Sequence, residues 1–397
     1  LSSTEGSVCL GALVNGTCTG QALTKDTDLT LQGKTGVQSG ALAVRSALVD
    51  SSQGALALGD VTVTDGQLAL YGRTGVTAGN LTQSRSGTPP TAPNIDLLSI
   101  AGAVTVGDIT GTGLLYGRSS GLMSIGTVGG VKDIDLQAGG TLTSGAIAAG
   151  GFVQLQSVDG SLDLQGITAG AAKDAPDTDP CKGSAICLRA GEGATSGVQD
   201  IDTGALAATA GDILVRGRSA VTVDSAEAAT GAVVLRAFEG MLTAGAVTAG
   251  RYIDIESSSG SVSVGALTAA AAQASSGDDP CDGTSVCVQA GAATPGGAQS
   301  ATVGTVNATA GAVLLAARNG LTLAGVAATA GGITAKGGSG AVTATGALTA
   351  GTGASTDADH DIVVEGAGLA LQGVRASGDL ALAATSATGV LTTGVLE

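Results

Sequence analysis

Three close cysteine pairs carry the first chemistry that this chain of 397 residues could do. Cys9 and Cys18 form one pair, and Cys181/Cys187 and Cys281/Cys287 repeat a C-x5-C spacing. An even count in tight local pairs points to disulfides and an oxidising compartment. Each bond would then staple a segment that has no core of its own. Redox exchange and cross-linking between chains are the other thiol readings. Zinc competes with them, but C-x5-C and a single histidine in the whole chain fit its usual ligand spacings poorly.

The densest acidic cluster, Asp357, Asp359, His360 and Asp361, includes that one histidine. Carboxylates at alternate positions can converge on one cation, so calcium or a transition metal is the only cofactor this chain suggests. A solvated loop tip is the preferred reading of the cluster. The same holds for the tips at Asp177 to Asp179 and Asp278-Asp279. The G-G-x-G-x-D nonapeptide of calcium-loaded rolls is absent. N-x-[ST] sequons at Asn15, Asn80 and Asn307 are near chance in a threonine-rich chain.

Catalysis finds little to work with. One histidine among carboxylates, with no nucleophile beside it, does not make a Ser/His/Asp arrangement. Glycan-cleaving β-helices pair carboxylates and usually add aromatic platforms, whereas this chain has no Trp, two Phe and three Tyr. The expectation is a protein that is not an enzyme. A net charge of −16 without a basic stripe excludes nucleic acid as a partner. No run of about 18 apolar residues could span a bilayer as a helix. The chain starts at Leu1 and shows no signal peptide, so a processed or cut N-terminus is expected.

The elements that would position these residues are repeats. IAAGGFVQLQSVDGSLDLQGITAG from Ile147 aligns without a gap on VTAGRYIDIESSSGSVSVGALTAA from Val247. DPCKGSAICLRAG at Asp179 then meets DPCDGTSVCVQAG at Asp279, so the period is 100. A shorter period of 20 lies inside it, relating Ile147 to Ile167, Val247 to Leu267 and Val306 to Val326. Each unit reads aliphatic-T-A-G, then x-[IV]-x-[LI]-x-S, then G-S-[LV]-x-[LV]-x-G. Apolar residues alternate within each piece, as in a half-buried strand, and glycines fall between pieces. Three short strands and three corners in about 20 residues describe one rung of a parallel β-helix. Val, Ile, Leu and Ala suit its thin core. As a helix, each unit would lose about 1 kcal/mol per glycine.

The predicted organisation is an N-terminal segment, 1–22, pinned by Cys9 and Cys18, and a continuous β-solenoid over 23–397. Where the period of 20 breaks, four loops leave one corner, near 80–94, 171–186, 271–286 and 352–361, three or four rungs apart. At about 4.8 Å per rung the rod would measure roughly 80 Å. Neither end carries a capping helix or polar rung, so a fragment or an end-to-end stacked subunit is expected.

Gly- and Ala-rich units of this kind resemble the shaft repeats of filamentous-haemagglutinin-like exoproteins, the passengers of bacterial two-partner secretion. The likeness is carried by Thr209-Ala210-Gly211-Asp212-Ile213-Leu214-Val215, by Thr329-Ala330-Gly331-Gly332-Ile333 and by Gly160-Ser161-Leu162-Asp163-Leu164. It extends from about Leu23 onward, without the family's secretion domain. The resemblance implies a right-handed β-helix, export to the bacterial surface, and a role in adhesion, aggregation or toxin presentation. Expected partners are a host or matrix surface, or copies of the chain itself associating end to end or laterally. A self-assembling extracellular filament and a glycan-cleaving β-helix are the rival functions. An ice-binding solenoid would need Thr-x-Thr arrays, where this chain has single threonines in Val-Thr-Val and Leu-Thr-Leu. Mass spectrometry of unreduced protein should find it lighter by two hydrogens per cysteine pair; free thiols would overturn the oxidised, secreted reading.

Overall fold

The computed structural model describes residues 1–11, 13–14, 17–84, 94–191, 197–274, 279–293, 297–351, 360–387 and 389–396. Among them there is no α-helix, and nearly all strand pairing is parallel: the protein is a β-solenoid. It divides into two compact units, Leu1–Lys173 with Cys187–Gln199, and Asp174–Ile186 with Asp200–Glu397.

In the first unit a rung contains three strands, as the sequence predicts. Asp133–Ala138 lies in one sheet, called the first sheet below; Leu142–Ser144 and Ile147–Ala149 lie in the second sheet. The next rung supplies Val153–Ser157, Leu162–Leu164 and Ile167–Ala169 in the same order. Ile134 pairs beside Val153, Leu142 beside Leu162 and Ile147 beside Ile167. Parallel pairing in strict register puts each inward side chain on its equivalent one rung away. One such column runs Leu31, Val49, Leu70, Leu97, Gly117, Leu136 and Leu155. Its side chains are buried, each contributing about 1.5–3 kcal/mol relative to exposure. Gly117 breaks the column for a packing reason: a Cβ there would lie 2.7 Å from Leu136 Cδ2 and 3.4 Å from Met123 Cε, which fill its space.

The second unit repeats the design with one change. The two short strands join into a single long one, as in Ile201–Ala208, Val221–Ala228 and Leu242–Ala249, except in the rung of Val262–Val264 and Leu267–Ala269, where they stay separate. Within Ile201–Ala208 the buried positions are Ile201, Thr203, Leu206 and Ala208, so the alternation slips by one residue at its centre. The third corner is thus a bend inside a strand, where one extra residue turns the chain without breaking its hydrogen bonds. A buried column here runs Val215, Leu235, Ile255, Val288, Leu315, Ala335 and Val364.

The S-x-x-G element of the repeat has a definite mechanical part. Ser157 Oγ donates to the Gly140 carbonyl, 2.8 Å away, and accepts the Gly160 N–H at 3.0 Å. Ser257 does the same with Gly240 at 2.7 Å and Gly260 at 2.9 Å. Each buried serine therefore closes its own corner and ties it to the corner below. The glycine is needed because the corners nearly touch: a Cβ on Gly260 would sit 2.0 Å from the Gly240 oxygen.

Near the N-terminus, Cys9 and Cys18 are disulfide-bonded around a short antiparallel hairpin of Leu13–Val14 and Thr17–Cys18. Val8–Leu10 pairs in parallel with Val37–Ser39, so this segment also carries solenoid strand.

Ser257→Ala would leave the half-buried Gly260 amide and Gly240 carbonyl without their serine partner. It should cost about 1–3 kcal/mol in denaturant unfolding and speed hydrogen exchange at Gly260. An unchanged amide would show that the serine does not hold the corner.

Candidate functional site

With inward positions committed to aliphatic columns, the chain's chemical variety lies on its outer surface, most densely on the first sheet. Adjacent rungs stack outward side chains as they stack inward ones, so donors and acceptors meet diagonally between rungs. In the first unit Tyr71 Oη donates to Asp96 Oδ2 at 2.7 Å. Burial, then the bond to Asp96, raise the Tyr71 pKa well above its usual value. Arg118 makes two bonds to Asp135, at 3.0 and 3.2 Å, while lying 4.3 Å over the Tyr116 ring. In the second unit Arg236 Nη2 donates to Asp254 Oδ2 at 2.7 Å.

Asp254 differs from these others in its surroundings. It occupies an outward position of the strand Ile253–Ser257, yet it is only 2% exposed. Ahead of strand Thr284–Ala290, Cys281 brings its Sγ to 3.9 Å from Asp254 Oδ1. Cys287 sits beside Asp254 in register, and its disulfide to Cys281 straps the loop base onto the sheet. The D-P-C-x-G sequence makes the turn that allows this. Asp279 Oδ1 accepts the Cys281 N–H at 2.9 Å, its carbonyl accepts the Asp282 N–H at 3.0 Å, and Gly283 takes φ +76°. Asp179, Cys181, Lys182 and Gly183 build the same turn. Burial raises the Asp254 pKa, against the pull of Arg236.

All three predicted cysteine pairs are oxidised: Cys9–Cys18 and Cys281–Cys287 are bonded to each other, and Cys181 and Cys187 are both in disulfide form. The carboxylates at Asp179 and Asp279 are turn residues, and Asp177 pairs with Lys182. Of the predicted cation cluster, Asp357 and Asp359 lie outside the described residues, as does Asp278. His360 and Asp361 are described, and Asp361 Oδ1 accepts the Asp379 N–H at 2.6 Å. That is a recurring use of carboxylates. Asp60 accepts the Asn80 amide, Asn80 accepts the Asp108 amide, and Asp108 accepts the Thr127 amide, at 2.8, 2.9 and 2.8 Å. The sequon at Asn80 is therefore one step in a corner ladder; Asn307 stands exposed and Asn15 lies outside the described residues. Much of the acidity is backbone capping.

In the second unit the strands led by Val286 and Ile362 lie three rungs apart, through Val313 and Ile333. The starts of these strands are thus separated by about 15 Å. At the far ends of these strands is a depression of about 240 Å³ lined by Gln289, Ala290, Ala316, Arg318 and Lys336, smaller than the roughly 300–1,000 Å³ of most ligand pockets. Arg318 closes one rim by donating to the carbonyls of Gly291 and Ala292 at 2.9 and 2.8 Å.

No family model, curated protein or solved structure matches the chain. Its chemistry has to be read from its own residues. Arg236, Asp254 and Gln289 were not singled out by sequence pattern. The one available signal was an acidic residue alternating with isoleucines in the strand that the cysteine strand must stack upon.

Hydrogen bonds from Arg45, then Ser46, hold the Asp28 carboxyl at about 2, and the Thr127 amide lowers Asp108. A depressed folded pKa stabilises the fold above the ordinary aspartate value of about 3.9. That contribution is lost as pH falls through the folded value. Arg45→Ala should move the Asp28 titration midpoint from about 2 toward about 3.9, as read by carboxyl-carbon NMR. An unmoved midpoint would rule out the Arg45 bond as its cause.

Proposed function

We propose that this chain is part of the shaft of a secreted bacterial surface protein of the filamentous-haemagglutinin-like kind, acting in adhesion or aggregation rather than catalysis. The observation that carries this reading is the division of labour between inside and outside. Inward columns repeat small aliphatics from rung to rung, while two of the insertions end in a common turn, at Asp179 and Asp279, beside disulfide-bonded cysteines. Such a design keeps a scaffold constant and varies what it presents. Loops positioned by a rigid scaffold are a common location for binding residues. Adhesion would then use the loop bases and the polar outer face of the first sheet, against a host surface or a matrix polymer.

Lateral self-association is a second reading, favoured by the second sheet. In the second unit the stretches 242–249, 262–269, 301–308, 321–328 and 342–350 contain no charged residue, although the chain carries a net charge of −16. Thr243, Ser263, Thr302, Thr322 and Thr343 stack in register along that face. An uncharged, flat array of small side chains suits the same face of a second copy.

The purified chain, immobilised, should retain host cells or matrix polymers, and removal of 352–359 should weaken retention about tenfold or more, the loss of a hot-spot contact. Concentration-dependent growth in sedimentation velocity would favour the self-associating reading instead. A chain that stays monomeric and retains nothing across such a panel, or that lowers the viscosity of a polysaccharide, would overturn the adhesive one.

A further inference from the structure

We infer that reduction of the Cys281–Cys287 disulfide turns the buried ground around Asp254 into a binding site for a thiophilic divalent cation such as zinc or cadmium. Among the described residues, Asp254, Cys281 and Cys287 are the one group of three metal-capable side chains whose ligand atoms all lie within 4.8 Å of one another. All three residues are buried, with 2%, 2% and 0% exposure. Asp254 divides its two oxygens. Oδ2 is held by Arg236, while Oδ1 faces Cys281 Sγ at 3.9 Å.

A fourth donor stands beside them. Gln289 Nε2 lies 3.1 Å from Cys281 Sγ and 3.6 Å from Cys287 Sγ. Half a turn of its amide brings Oε1, an acceptor, to the same place. Two thiolates, a carboxylate and an amide oxygen make a four-coordinate set suited to zinc, with Zn–S about 2.3 Å and Zn–O about 2.0–2.2 Å. The C-x5-C spacing alone lacks ligands; stacking Cys287 on Asp254 supplies them.

Charge decides which ion fits. In the oxidised chain the carboxylates of Asp254, Glu256 and Asp279 face the guanidinium groups of Arg216 and Arg236. Opening the disulfide and ionising both thiols adds two negative charges in a buried place, where an uncompensated charge is costly. A divalent cation offsets those two added charges. With a phosphine as reductant the step balances. The S–S bond breaks, phosphorus is oxidised to the phosphine oxide with the oxygen of one water, and that water's two hydrogens go to the thiols. Cation binding then releases both thiol protons to solvent. In the other cysteine repeat the 100-residue period puts Gln154 where Asp254 stands, so that pair lacks the carboxylate.

The test uses the whole chain, reduced by a phosphine, desalted without oxygen and titrated with cadmium. The thiolate-to-cadmium ultraviolet band reads binding, equilibrium dialysis reads stoichiometry, and circular dichroism reads strand content. Reduced wild type should bind one ion more than C281S/C287S, and C181S/C187S should keep that ion. D254N should weaken it about tenfold or more, as loss of metal-site support does. The oxidised chain should lack it. Equal binding by wild type and C281S/C287S, undiminished affinity in D254N, or no saturable binding would overturn the proposal. So would a reduced chain that loses its strand signal and does not regain it with cadmium.

Discussion

Every rung in each unit must lie on the next, about 4.8 Å away, with its strands paired in parallel there. Most features of the chain follow from that spacing. It leaves no room for a Cβ where corners stack, as at Gly260 above Gly240, and it stacks like on like in the interior. Large aromatic rings would not fit so thin a layer. The core is instead built from Leu, Val, Ile and Ala, at the cost of bulk and with the gain of regularity.

Corners are where a parallel solenoid runs short of backbone partners, because the ladder is interrupted there and the groups are still close to the core. Two side-chain devices meet that need. Buried serines bridge a corner to its neighbour, as Ser157 and Ser257 do. Exposed Asp and Asn accept amides from the following rung, as in the series Asp60, Asn80 and Asp108. The acidity that first suggests solubility or cation binding is thus partly structural. A carboxylate whose oxygens already accept backbone amides is less available to a metal, which is why acidic tips such as Asp179 and Asp279 act as turn formers.

The outer face obeys a different logic. Outward columns are not required to be apolar, so ion pairs such as Arg118–Asp135 and Arg236–Asp254 form diagonally between rungs. The first keeps about a quarter of its side-chain surface in solvent and contributes modestly. The second lies against Cys281, and its burial makes Asp254 the most unusual carboxylate of the described residues. One disulfide accounts for the difference, since it holds the loop base against the sheet.

Sequence alone determined the solenoid, the rung length and the oxidised cysteine pairs. Each is set by a local or periodic pattern: alternation fixes which side chains turn inward, and parallel stacking copies that choice every 20 residues. The merging of two strands into one in the second unit was not legible, because a single-residue slip, as at Thr203 to Leu206, leaves the apolar spacing unchanged. Nor was the ground around Asp254. Its ligand-bearing residues are brought together by register between rungs and by a loop folding back, so Asp254 and Cys287 meet across 33 positions of chain. Periodicity tells which residues face out; only the tertiary structure decides which outward residues become covered, because covering depends on where an aperiodic loop comes to rest.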